Sequence, residues 1–150
     1  MAHTYTDLLV HVIFSTKDRA PMLDSELKAR LFPYLGGIIR ELGATALLIN
    51  GPADHVHILV LLPAKTALSE IIGKVKANST GWIHREFSDK RAFAWQTGYA
   101  AFTVSHSQKH SVLDYIATQE EHHRMMSFQE ELIAFLNKHE IGYDEGHLWE

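Results

Sequence analysis

The chain has 150 residues, 46% of them hydrophobic, enough for one domain with a full apolar core and too apolar for a disordered chain. Its formal net charge is −4 with histidine neutral, which argues mildly against a nucleic-acid binder, although eleven histidines would erase much of that charge on partial protonation. The absence of cysteine excludes a disulfide scaffold and a thiolate metal site and fits a cytoplasmic protein. The N-terminal residues are polar, without a signal-peptide pattern. No apolar run approaches the roughly 18 residues of a membrane span, so no membrane partner is expected.

Leu8 to Ser15 reads as a strand with Leu8, Val10, Val12 and Phe14 on one face and Leu9, His11 and Ile13 on the other. A strand apolar on both faces is expected in the middle of its sheet. A polar, partly basic loop follows from Thr16 to Pro21. Asp24 to Leu42 has helical spacing at Leu27, Leu31, Leu35, Ile38 and Leu42, with Gly43 suited to the C-terminal end. Pro33 inside this pattern predicts a kink or a break. Ala44 to Asn50 is a second strand. The turn Asn50-Gly51-Pro52-Ala53-Asp54 joins it to a third, His55 to Leu62, as an antiparallel hairpin. That third strand is also apolar on both faces.

Thr66 is the expected N-cap of the next helix, and Leu68, Ile71, Ile72 and Val75 form its buried stripe. A polar break at Asn78-Ser79-Thr80-Gly81 interrupts the pattern before Trp82 and Ile83 extend it. Tyr99 to Ser105 is a fourth strand. The order β-α-β-β-α-β predicts an α+β, ferredoxin-like split βαβ fold with an antiparallel sheet. Right-handed crossovers put its first and third strands in the centre. Two further C-terminal helices are expected. One starts near Ser107 and runs to about His123. The other opens with the capping box Ser127-Phe128-Gln129-Glu130 and carries Phe128, Leu132, Phe135 and Leu136 on one side. The tail from Ile141 to Glu150 ends on large apolar residues and is expected to dock. The chain reads as a single domain over residues 1–150, without repeat or linker.

Chemistry concentrates at Asp54-His55-Val56-His57. Residues two apart on a strand point the same way, so His55 and His57 project side by side from the face opposite Val56. His11 would join them if the strand register allows. Two parallel imidazoles can share a metal ion or grip a phosphate. On the helix after Ser107, Tyr115 and Gln119 are four apart and share a face, with Ser111 and His122 on the same stripe. Taken alone, Tyr115 reads as an edge-of-core tyrosine with its hydroxyl in water. A divalent ion on the histidines would need an oxygen ligand, which the Gln119 carbonyl can supply. Tyr115, one turn away, would then lie near whatever the metal polarises. A phenol with a pKa near 10 is a poor nucleophile at pH 7 without such help.

With these residues the sequence closely resembles the single-tyrosine insertion-sequence transposases of the HUH superfamily, including the relatives associated with repetitive extragenic palindromes. His55-Val56-His57 matches the His–hydrophobic–His motif, and Tyr115-Ile116-Ala117-Thr118-Gln119 matches the tyrosine motif. The likeness extends to His11 through Lys17, Trp95 through Tyr99, Gln119 through Arg124, Tyr143-Asp144-Glu145 and Leu148-Trp149. The resemblance implies a homodimer acting on single-stranded DNA, often at hairpins. Tyr115 would be the nucleophile, leaving a 5′-phosphotyrosine link and a free 3′-hydroxyl. His55, His57 and Gln119 would be the ligands of magnesium or manganese. The chain departs from its often basic relatives in net charge, so DNA contact must come from a local patch. Lys17, Arg19, Lys74 and Arg85 are the leading candidates, with Lys76, Lys90, Arg91 and Lys109 behind them. Trp82 or Trp95 could stack on bases, although both fit a core as well.

Two other readings are weighed. A histidine-triad-like nucleotide hydrolase begins with the same alternation, but its nucleophilic histidine would fall at Leu59. A domesticated DNA-hairpin-binding protein without cleavage would retain the fold and lose the chemistry.

Overall fold

In the computed structural model, residues 3–119 and 126–150 are described. Four strands, β1 (Leu9–Ser15), β2 (Thr45–Asn50), β3 (His55–Leu61) and β4 (Ala100–Thr103), form one sheet in the order β2-β3-β1-β4. Every neighbouring pair is antiparallel. The helices among the described residues are α1 (Ser25–Glu41), α2 (Leu68–Glu86), α3 (Lys109–Ala117) and α4 (Phe128–Lys138). This is the expected α+β arrangement: the split βαβ sheet with β1 and β3 central, followed by two added helices.

Side-chain alternation divides the sheet into two faces. Val10, Val12 and Phe14 of β1 and Val56, Ile58 and Val60 of β3 join the main core with Leu27, Leu31 and Leu35 of α1 and Ile71, Ile72 and Val75 of α2. Full burial of each such side chain contributes about 1.5–3 kcal/mol. On the opposite face, Ile13 packs with Phe128, Leu132 and Leu136 of α4, while Leu9 and Leu59 pack with Ile116 of α3. His11, His55 and His57 alternate into this second face, between the sheet and the two added helices.

Four local expectations change. Helix α1 runs unbroken through Pro33. Its apolar stripe is fully seated on the sheet, which outweighs the roughly 3 kcal/mol that a proline costs inside a helix. Helix α2 begins at Leu68 with Ala67 at the N-cap, and Thr66 makes no cap. The helix also continues through Asn78–Gly81 to Glu86. Ser79 faces inward there, donating to the Lys76 carbonyl at 3.2 Å and accepting from Trp95 Nε1 at 2.9 Å. A polar residue with its partners met inside does not end a helix. Strand β4 is shorter than Tyr99–Ser105: Ala100 to Thr103 are in register with β1, and past them Val104 N–H makes a last bond to the Leu9 carbonyl at 3.0 Å.

The tail docks as expected. The backbone oxygen of Glu150 accepts from Gln96 Nε2 at 2.8 Å and from Gly98 N–H at 3.1 Å, and Trp149 packs on the α4 cluster. Beneath this latch, the Lys76 ammonium donates to the carbonyls of Gln96, Thr97 and Gly98 and lies over the Phe14 ring at 4.9 Å. Burial pushes its pKa down to about 8, so it remains protonated at neutral pH. Lys76→Met strips three carbonyls of their donor, and urea unfolding should register a loss of about 2–3 kcal/mol.

Gly51 sits at the hairpin turn with no room for a side chain. A Cβ there would lie 2.2 Å from the His55 carbonyl oxygen and 2.9 Å from the Val56 Cα. Both contacts are backbone, so the hairpin must shift for any other residue to fit. Gly51→Ala is expected to cost about 3 kcal/mol, read as a lowered denaturation midpoint.

Candidate active site

The β2–β3 hairpin and the β1 register place the histidines. Asp54, at the entry to β3, accepts the Thr16 N–H with its carbonyl at 2.9 Å, which pins the strand end to β1. Within the sheet His57 faces Ile13 and His11 faces Leu59, so His11 and His57 are diagonal neighbours. His11 Nε2 lies 2.8 Å from His57 Nδ1. His55 Nδ1 lies 2.7 Å from the Asp54 carboxylate. Each histidine of the pair therefore has one ring nitrogen engaged within its own layer.

The other ring nitrogens converge. His57 Nε2 and His55 Nε2 lie 3.0 Å and 3.4 Å from the same oxygen, Oε1 of Glu131. Both imidazoles are fully buried, and Glu131 is 1% exposed. The second carboxylate oxygen of Glu131 accepts the hydroxyl of Tyr115. The Tyr115 ring centroid lies 5.9 Å from that of His57 in the same chain. Gln119, buried just past α3, donates its side-chain amide to the Tyr115 carbonyl at 3.0 Å. Asn50 of β2 donates to the Ile116 carbonyl at 2.9 Å and ties this helix end to the sheet.

This donor set fits a divalent cation. Ligand atoms of His55, His57 and Glu131 all lie within 4.8 Å of one another. Two imidazole nitrogens and a carboxylate oxygen suit a borderline metal ion. If His55 ligates a cation, Asp54 is placed to be the outer carboxylate that orients its imidazole. Without a cation, two Nε2 lone pairs and a carboxylate would repel one another, so protons must stand between them.

The electrostatics follow. Burial opposes charge on His55, but its hydrogen bonds to Asp54 and Glu131 outweigh burial and raise its pKa. His11 has no such partner, and burial with the adjacent His57 lowers it to about 3. Burial, then the Glu131 carboxylate, raises the pKa of Tyr115 far above that of a free phenol. The two histidines give metal-free stability opposite pH dependences. His11 binds a proton unfolded but not folded between about pH 3 and 6.5, so stability rises with pH there. His55 holds its proton more tightly folded than unfolded. Its contribution is complete below about pH 6.5 and is lost as pH rises through its raised folded value. Melting temperature in a chelator should therefore peak near pH 6.5, and His11→Phe should flatten the acid limb.

The structure brings together His55, His57, Tyr115 and His11, with Gln119 beside the tyrosine backbone. Glu131 escaped sequence reasoning. Its signal was available: an acid within the apolar stripe of Phe128, Leu132, Phe135 and Leu136. The expected basic patch is dispersed. Lys17 and Arg19 lie in a 3-10 turn after β1, where the Arg19 guanidinium stands 5.3 Å from the Trp149 ring centroid. Lys74 pairs with Glu70 at 3.1 Å, and it and Arg85 sit on α2, across the sheet from the histidines. Trp95 is a core residue, and Trp82 stacks on Tyr34. The expected extension of the tyrosine helix to His123, with His122, lies outside the described residues.

Residues 4–119 match the family described as "Transposase IS200 like". The chain belongs to the IS200-like transposase family. It is 29% identical over 135 residues to the transposases for insertion sequence element IS200 of Salmonella typhimurium and Salmonella typhi, covering 83% of this chain and 85% of theirs. A crystal structure assigned to a transposase of Deinococcus radiodurans superposes with a TM-score of 0.65 at 22% identity, over 79% of this chain and 96% of that one. A REP-associated tyrosine transposase bound to a REP hairpin superposes with a TM-score of 0.58 at 14% identity, over 77% of this chain and 68% of that one. The matched IS200-like segment ends at Gln119, so the sheet, the histidines and Tyr115 fall inside it and Glu131 lies beyond it. No helix among the described residues is long and apolar enough to cross a membrane.

Proposed function

We propose that this IS200-like transposase nicks and rejoins single-stranded DNA through a 5′-phosphotyrosine intermediate. Tyr115 is the nucleophile, and His55 and His57 hold magnesium or manganese with an oxygen from Glu131 or Gln119. One observation carries the reading: the carboxylate facing both imidazoles also accepts the Tyr115 hydroxyl, so nucleophile and cation site share a group. The cation, when bound, polarises a phosphate oxygen as a Lewis acid.

The chain's own residues supply the rest. Asp54 and His11 hold the imidazoles in place. The Tyr115 oxygen attacks phosphorus, and its proton leaves along the existing hydrogen bond to Glu131. The P–O3′ bond breaks, and the departing oxygen takes a proton from water to become a 3′-hydroxyl. The reverse attack by a 3′-hydroxyl rejoins DNA and frees Tyr115, so the cycle needs no nucleotide cofactor. Resemblance to the single-tyrosine transposases supports a homodimer. The likeness to a transposase bound to a REP hairpin supports hairpin-bearing single strands as substrate.

The test is incubation of end-labelled single-stranded hairpin DNA with the protein and manganese, then denaturing electrophoresis. A protein–DNA adduct carrying the label of the downstream fragment supports the proposal. Tight binding without an adduct across several hairpins and both metals would instead favour a binding protein. Release of mononucleotide from a small substrate would favour a hydrolase.

A further inference from the structure

His11 takes no part in the mechanism above except through His57, yet it is 2% exposed in the layer between the sheet and α4. Its ring stands edge-on to Phe135, with centroids 5.3 Å apart, and its Nε2 meets His57 Nδ1 at 2.8 Å. Here a buried imidazole is paired with another imidazole, whereas on the neighbouring histidine Asp54 supplies a carboxylate.

The geometry gives a reason for the difference. In the metal-free molecule His57 Nε2 lies 3.0 Å from Glu131 Oε1, a contact that a hydrogen on Nε2 satisfies. With His57 neutral, its Nδ1 then carries a lone pair, to which His11 Nε2–H donates. Once a cation occupies Nε2, the single hydrogen of neutral His57 must sit on Nδ1, and His11 Nε2 must accept. The facing group at position 11 thus has to donate in one state and accept in the other. Carboxylate only accepts and ammonium only donates, whereas a neutral imidazole nitrogen does either according to tautomer.

We propose that His11 is the positioning residue of His57, reversing the hydrogen bond between them when a cation replaces the hydrogen on His57 Nε2. The inference rests on the cation-site reading above and deepens it. No net proton is created: the hydrogen on His57 Nε2 leaves, the shared hydrogen passes from His11 to His57, and His11 gains one on Nδ1.

Nitrogen-15 NMR of histidine-labelled protein reads this directly. In chelator, a coupling across the His11–His57 hydrogen bond is expected, with His57 Nδ1 unprotonated. With zinc as a diamagnetic probe, the His57 hydrogen should appear on Nδ1. Calorimetric zinc affinity should fall about 10–100-fold in His11→Phe, the usual loss for an outer partner of a ligating histidine. His11→Gln, whose side-chain amide can turn either way, should recover most of that loss. Melting temperatures of both variants in chelator establish that they are folded. Zinc binding by His11→Phe equal to wild type would overturn the inference, as would absence of the cross-bond coupling in the metal-free protein. If wild type binds no zinc, magnesium or manganese, the cation-site reading fails instead, and the metal-free coupling still judges the His11–His57 bond.

Discussion

Tyr115→Phe is expected to remove the covalent DNA adduct entirely while leaving hairpin binding within about twofold of wild type. Losing the nucleophile of a covalent mechanism typically lowers the rate by about 10⁴-fold or more. The phenyl ring keeps its edge contacts to His57 and Phe135, so the packing between α3 and α4 survives. The hydroxyl's bond to Glu131 is lost. Cation affinity should therefore change little or rise slightly, since the carboxylate is released from the phenol. Gel assays of adduct and filter binding of the same labelled hairpin separate the two effects. A Tyr115→Phe protein that still formed adduct would move the nucleophile elsewhere.

Glu131 substitutions should have the second-largest effects, and on different observables. Glu131→Leu places an apolar side chain among Phe128, Leu132 and Phe135, where the helix stripe already fits one. In chelator the protonated His55 loses a buried counter-charge. Removing one partner of a buried pair costs about 3–5 kcal/mol when the other stays charged. An imidazole can shed its proton, so destabilisation should be larger at pH 6 than at pH 8. Added manganese should raise the wild-type melting temperature at pH 8 and leave that of Glu131→Leu unchanged. Glu131→Gln keeps the volume and should weaken manganese on the order of 100-fold. The contrast with Gln119→Ala identifies the oxygen ligand. If Gln119→Ala abolished the manganese response and Glu131→Leu did not, the ligand set would be the one the resemblance implies.

Periodicity carried most of this fold. The alternation in LVHVIFS and HVHILVL located both central strands and the side of the sheet on which the histidines stand. The short turn Asn50–Asp54 then paired β2 with β3. What local pattern did not reveal was decided by tertiary contacts. Pro33 and the polar stretch at Asn78–Gly81 look like breaks because propensity is local, while the packing that overrides them is not. Ser79 is tolerated because its hydroxyl is met by the Lys76 carbonyl and by Trp95, which is distant in sequence.

The site was legible where residues shared a strand or a helix turn. His55 with His57, and Tyr115 with Gln119, are such pairs. Glu131 escaped notice because its partners lie 74 and 16 residues away, on β3 and α3. The His11 contact depended on a register that only the sheet could set. The basic candidates depended on placement, since charge alone does not say which face a helix presents. Lys74 and Arg85 lie on α2, in the layer opposite the chemistry.

The oxygen that faces both imidazoles belongs to α4, an element packed against the sheet rather than woven into it. If the proposed cation takes Glu131 as a ligand, helix docking and ion capture become one coupled equilibrium read at two places. Whatever free energy manganese gained from Glu131 would then reappear as tighter seating of the whole helix, because such linkage is reciprocal. Amide exchange along Phe128–Lys138 should slow when the ion is added and quicken when it is withdrawn, in proportion to the affinity that the carboxylate confers.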